Sequence, residues 1–70
     1  MTHHLVKLEK KALTLQNAGQ FQEAAELFAA IVKEQPDWEH GQGWYCLATN
    51  YEDSGQLEKA EQAYKSALRY

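Results

Sequence analysis

Gly19 and Gly55 lie 36 residues apart, each inside a short polar cluster, Asn17-Ala18-Gly19-Gln20 and Asp53-Ser54-Gly55-Gln56. Sliding the chain by that interval aligns more than the two glycines. Ala12 falls on Ala48, Gln20 on Gln56 and Ala24 on Ala60, while Leu8 meets Trp44, Leu15 meets Tyr51, Phe21 meets Leu57 and Phe28 meets Tyr64. Small residues match small ones and large apolar residues match large ones. That is the signature of a structural repeat, in which each unit buries one face against its neighbour.

The repeated unit reads as helical. A glycine that follows an apolar-periodic run takes the left-handed conformation that ends a helix at little steric cost. Pro36 opens a longer break, from Gln35 to Gly43. The four segments between these punctuation marks are expected to be helices of about 12 to 14 residues each. Leu5, Leu8, Ala12 and Leu15 advance by steps of three and four, as do Phe21, Ala24, Leu27, Phe28 and Ile31. Trp44, Leu47, Ala48 and Tyr51 repeat the pattern, and so do Leu57, Ala60, Tyr64, Ala67 and Leu68. Such spacing places each set on one face of a 3.6-residue helix, whereas nothing alternates with the period of a strand. Ala12, Ala24, Ala48 and Ala60 fall where helices of a hairpin approach closely, so enlarging one of them should force the pair apart.

The run Trp44-x2-Leu47-Ala48-x2-Tyr51, followed by Ala60-x3-Tyr64, closely resembles the tetratricopeptide repeat pattern. The first unit, Leu8-x2-Lys11-Ala12-x2-Leu15 followed by Ala24-x3-Phe28 and Pro36, departs from it at Lys11, where a large apolar residue is expected. The interval from Pro36 to Trp44 is longer than is common in the family, and Glu39 and His40 read as an insertion in the turn between repeats. The resemblance implies an all-α fold: two tandem antiparallel helical hairpins, four helices in all, in a right-handed α-solenoid. Residues 1–70 would then be one domain, with a first repeat at about 5–36 and a second at about 41–70. Trp38, just past Pro36, is expected to close the inter-repeat turn against a neighbouring helix.

Composition narrows the function. Ten acidic residues against seven basic ones give a net charge of -3. That weighs against nucleic acid or an anionic membrane as partner, since both are held largely by Lys and Arg. Cys46 is the single cysteine, so no disulfide can form within the chain. No run of apolar residues reaches the length of a membrane span, and Met1 to Ala12 contain no continuous apolar leader. The cytoplasm is the expected compartment.

The chemically capable residues do not assemble into a reaction. His3, His4 and His40 fall short of a four-ligand zinc set, and Cys46 has only Asn50 one turn on, which is not a base. Glu52-Asp53 and Glu58 with Glu61 read as solvated helix faces, because a small helical hairpin pair has little depth to desolvate a carboxylate. Gly41-Gln42-Gly43 lacks the further glycine and lysine of a phosphate loop. No catalytic residue, no metal and no cofactor is expected.

What remains is surface. In the family that the chain resembles, the first helix of each hairpin lines a groove that takes a peptide or a partner helix. The corresponding stripe is Val6, Glu9, Leu13 and Gln16, continued by Gln42, Tyr45, Thr49 and Glu52. Family members that grip the carboxylate end of a chaperone tail use Lys and Asn from this stripe. Glu9 and Leu13 stand at those places here, and Glu9 and Glu52 would repel a carboxylate. The expected activity is non-catalytic interaction with a protein or peptide partner.

A second reading concerns the last helix, which lies next to the end of the chain at Tyr70. Repeat arrays generally hold at least three units and a polar cap. Ala63, Tyr64, Ala67 and Leu68 are thus expected to leave apolar surface open. Such a face would be covered by more of a longer array or by another copy, making a homodimer or larger scaffold the alternative. A docking domain cut from a larger enzyme is a further alternative.

Overall fold

The computed structural model describes residues 3–70, and these fold into four α-helices: α1 (His3–Asn17), α2 (Phe21–Glu34), α3 (Gln42–Asp53) and α4 (Leu57–Ala67). A single 3-10 turn, Trp38–Gly41, precedes α3. The helices pack in chain order, α1 on α2, α2 on α3 and α3 on α4, as two stacked antiparallel hairpins of an all-α solenoid.

Both hairpins close in the same way. At the first, Gly19 has φ of +81°, the Gln20 amide donates to the Leu15 carbonyl at 2.9 Å, and the Gly19 amide donates to the Gln16 carbonyl at 3.0 Å. At the second, Gly55 has φ of +86°, and the equivalent bonds run from Gln56 to Tyr51 at 2.8 Å and from Gly55 to Glu52 at 3.0 Å. This is the Schellman closure, which satisfies the carbonyls orphaned at a helix end. The 36-residue interval in the sequence is therefore also an interval in backbone geometry.

The core is a sheet of small and large residues between helices. Ala12, Ala24 and Ala48 are fully buried and Ala60 nearly so, which lets the helices approach closely. Phe28, Ile31 and Leu5 are fully buried beside them, while Leu8, Trp44, Tyr51 and Tyr64 pack against this core from its margin. The departure at Lys11 leaves α1 anchored chiefly by Leu5 and Ala12, its only buried residues.

The turn between hairpins carries the least ordinary backbone. Glu39 and His40 have φ of 49° and 57°, and Gly41 follows at 95°, giving three left-handed residues in succession. The two residues that read as an insertion are the two non-glycines in this conformation. Winding them left-handed takes up the extra length, and the buried Trp38 indole fills the space below. Trp44 ties down the other end of the turn, its indole N–H donating to the Pro36 carbonyl at 2.7 Å.

Candidate functional site

Two bonds between the hairpins set the first helices side by side. The Trp38 indole N–H donates to Glu9 Oε2 at 3.3 Å, tying the inter-repeat turn to α1. Asn50, only 1% exposed, donates through Nδ2 to Gln16 Oε1 at 2.8 Å and to the Cys46 carbonyl at 2.7 Å. Its own Oδ1 is buried without a partner.

Along this surface, Val6, Leu13 and Tyr45 are 43%, 38% and 50% exposed, so three apolar side chains stand open to solvent. Glu9 and Gln16 are half-buried, since each accepts one of the bonds just described. Gln42 is exposed and its amide reaches Cys46 Sγ at 3.5 Å, while Thr49 Oγ1 donates to the Cys46 carbonyl at 2.9 Å. Glu52 is exposed and accepts the Tyr64 phenol at 2.9 Å. None of the eight stripe residues is a lysine or arginine.

The electrostatics are acidic. Glu39 projects from the turn toward Glu9, and the hydrogen bond between the two carboxyls pushes the Glu39 pKa above its ordinary value, with burial and the Glu9 charge adding to it. Burial pushes the Cys46 thiol up, the Gln42 amide works against that, and the charges of Glu9 and Glu39 add to the rise. A thiol held protonated in this way is a poor nucleophile. The bond to Glu52 likewise holds the proton on Tyr64 and raises its pKa.

The open face at α4 differs from the sequence expectation. Ala63 is 3% exposed and part of the core, where it shares a cleft with Val32 of α2 and Leu47 of α3. Ala67 is half-buried, and its carbonyl sits against Gly41. Tyr64 is half-buried and packs edge-on to Tyr45, with ring centroids 5.7 Å apart, so it belongs to the margin of the groove as well. Leu68, 88% exposed, is the member of the set that stands fully open, and Leu57 at 65% joins it. The steps of seven and four from Leu57 to Tyr64 to Leu68 are the signal that places Leu57 on this face.

Glu39, Trp38, Asn50 and Tyr64 contact residues of this surface but are not included by the stripe spacing. Three of them arrive from other elements, and Asn50 comes from the buried side of α3. His4, at the far end of α1, meets Glu34, and both are exposed. Among the described residues no group of three or more His, Cys, Asp or Glu is placed to hold a metal ion. No helix among them is long and apolar enough to cross a membrane. On the opposite side, an open cleft of about 560 Å³ between α2 and α4 is floored by Trp44 and Tyr51, with Lys59 lying 5.6 Å over the Tyr51 ring.

Stacked antiparallel hairpins with a 36-residue repeat in both sequence and backbone define a helical-repeat protein. A family model described as Tetratricopeptide repeat matches residues 15–70, and the chain belongs to that family. No curated protein and no solved structure gives a significant match. Members of the family generally act as modules of protein–protein interaction and are typically non-catalytic.

Proposed function

We propose that the protein is a cytoplasmic, non-catalytic interaction module, needing no cofactor, that holds a basic peptide or helix of a partner protein along α1 and α3. The observation that carries this reading is the pairing of open apolar side chains with carboxylates on a stripe that contains no Lys or Arg. Val6, Leu13 and Tyr45 offer places to bury apolar side chains of a partner, and Glu9, Glu39 and Glu52 stand among them. Apolar anchors supply most of the affinity of such a contact, while charged groups set register and discriminate between partners. A segment carrying Lys or Arg between apolar residues fits both requirements, and it would also draw apart the Glu9–Glu39 carboxyl pair. A segment ending in a free carboxylate does not fit.

Selection from a displayed random-peptide library tests this, followed by fluorescence anisotropy on the enriched peptides. The enriched peptides should carry Lys or Arg beside apolar residues, and Tyr45→Ala should weaken them by about tenfold or more. Enrichment of acidic peptides, or equal binding to Tyr45→Ala, would refute the reading.

A further inference from the structure

The internal repeat specifies what the open face at α4 is shaped to receive. Glu52, Leu57, Ala60, Glu61, Tyr64 and Leu68 line an open groove of about 500 Å³ together with Glu58 and Lys65. Counting back 36 residues, their equivalents are Gln16, Phe21, Ala24, Ala25, Phe28 and Val32, with Gln22 for Glu58. That earlier surface is the seat of α3. Asn50 bonds to Gln16 there, Gly43 lies against Val32, and Ala24, Ala25 and Phe28 are buried. The groove is thus a second copy of a seat that the fold already fills once.

The element equivalent to α3 is α1. The α3 residues on the side that enters the seat, Gly43, Leu47 and Asn50 with Cys46 beside them, correspond to Lys7, Lys11, Thr14 and Lys10. These four are exposed, on the face of α1 turned away from the core. Inside the chain the equivalent positions are neutral on both sides, Gly43, Cys46 and Leu47 on α3 and Gln16, Gln22 and Ala25 on the seat. At the matching positions of the two free faces the joint is charged and complementary, with three lysines on α1 and Glu52, Glu58 and Glu61 outnumbering Lys65 on α4.

The helices behind the joint show the same complementarity. Across the cleft between α2 and α4, Ala29 and Lys33 face Lys59 and Gln62. Advancing the first pair by one repeat gives Lys65 and Arg69, and moving the second pair back gives Glu23 and Glu26. Two lysines within the chain are replaced by opposite charges between copies.

We infer that the α4 groove receives α1 of a second copy of this chain, head to tail, so that copies continue the solenoid. The partner face is unlike the receiving face, so the contact does not close on itself and adds copies in a row. Gly43 fits closely against Val32, where an added Cβ would come within 2.9 Å, and Lys7 stands at its place on α1. The joint between copies is therefore looser than the one within the chain, and its charges are exposed to salt. One helix in one groove is a small interface, so the association is weak.

Sedimentation velocity and light scattering on the intact chain at about 0.1 to 1 mM test the inference. At low salt the mass should rise with concentration above 8.0 kDa, and the association constant should fall about tenfold on going to high salt. Lys7→Glu with Lys11→Glu reverses the donated face, and Glu58→Lys with Glu61→Lys reverses the receiving one. All four are surface residues, and far-ultraviolet circular dichroism verifies the fold of each variant. Each variant alone should be monomeric, and mixing the two should restore association. A wild-type chain that stays monomeric at low salt overturns the inference. A seat variant that loses association while the α1 variant keeps it would mean an α4-to-α4 dimer and also overturns it, as does the converse. Failure of the mixture to associate overturns it too.

Discussion

Gly41→Ala should unfold this protein more readily than any other glycine substitution at a turn, and the reason is separable into parts. Gly41 has φ of +95°, and a Cβ there would come within 2.8 Å of the Ala67 carbonyl oxygen and 3.3 Å of Tyr70 Cβ. The left-handed conformation costs a non-glycine residue about 1–2 kcal/mol. Crowding a backbone oxygen that cannot rotate away adds about 1–3 kcal/mol. Restricting the unfolded chain returns about 0.4–1 kcal/mol. The net loss is about 1–5 kcal/mol. A chain of this length holds only about 4–10 kcal/mol in total, so the midpoint of thermal unfolding should drop by about 5 °C or more. Gly19 and Gly55 supply the internal control. Their φ values are +81° and +86°, and a Cβ at either meets nothing within 4 Å. Alanine there incurs the conformational cost alone, about 0–1.5 kcal/mol after the unfolded-chain correction. Urea titrations of the three variants, followed by circular dichroism, yield the comparison directly. If Gly41→Ala falls within about 0.5 kcal/mol of Gly55→Ala, the close approach of α4 to the inter-repeat turn is refuted.

Four further outcomes follow from particular side chains. Ala48→Leu should cost about 1–3 kcal/mol by overpacking, and Ala60→Leu less, because Ala60 also borders the open groove at α4; equal melting temperatures for wild type and Ala48→Leu would contradict this. Asn50→Asp keeps the shape but removes the amide donor to Gln16 and Cys46, leaving a buried carboxylate against two acceptors, at a cost of about 3 kcal/mol or more at neutral pH that eases in acid; urea melts across pH read it. The Cys46 thiol should react with a disulfide reagent only at higher pH than a free cysteine, and Glu9→Gln should move that profile downward. The raised pKa of Glu39 means that the folded state binds its proton more tightly than the unfolded chain does. Its contribution to stability is thus present in acid and lost as pH rises through the folded pKa, and Glu39→Gln should flatten that dependence in pH-resolved melts.

The hairpins were legible because two independent signals, periodic apolar residues and the two glycine closures, fall at one interval. Glu39 and His40 were legible as surplus length, since a repeat supplies its own ruler; their left-handed winding was not, because neither residue type demands it. Spacing places the stripe residues on one face of α1 and of α3, while a binding role for that surface comes from the resemblance alone. Its acidic character was legible only in part, since Glu39 reaches Glu9 across a turn and no periodicity connects them. Ala63 was misassigned to the open face because Ala60, Ala63 and Ala67 share one side of α4, and small residues there do not declare which edge of that side is turned inward. Tyr64 belongs to two surfaces at once, which a helical wheel of α4 alone does not convey. Asn50 read as an ordinary polar residue, and its burial follows from the neighbouring hairpin.

Both tryptophans of the chain belong to one joint. Trp38 is buried with its indole N–H on a carboxylate, and Trp44 is half-buried with its own on the Pro36 carbonyl. Intrinsic fluorescence is therefore a local reporter of the junction between hairpins, whereas the far-ultraviolet signal is spread over four helices. Comparing the two denaturation curves separates loosening at the junction from melting of the helices. Overlaid curves would mean that neither hairpin persists without the other. An earlier fluorescence transition would reveal a state in which intact hairpins have come apart, so this small repeat protein carries its own optical gauge of coupling between units.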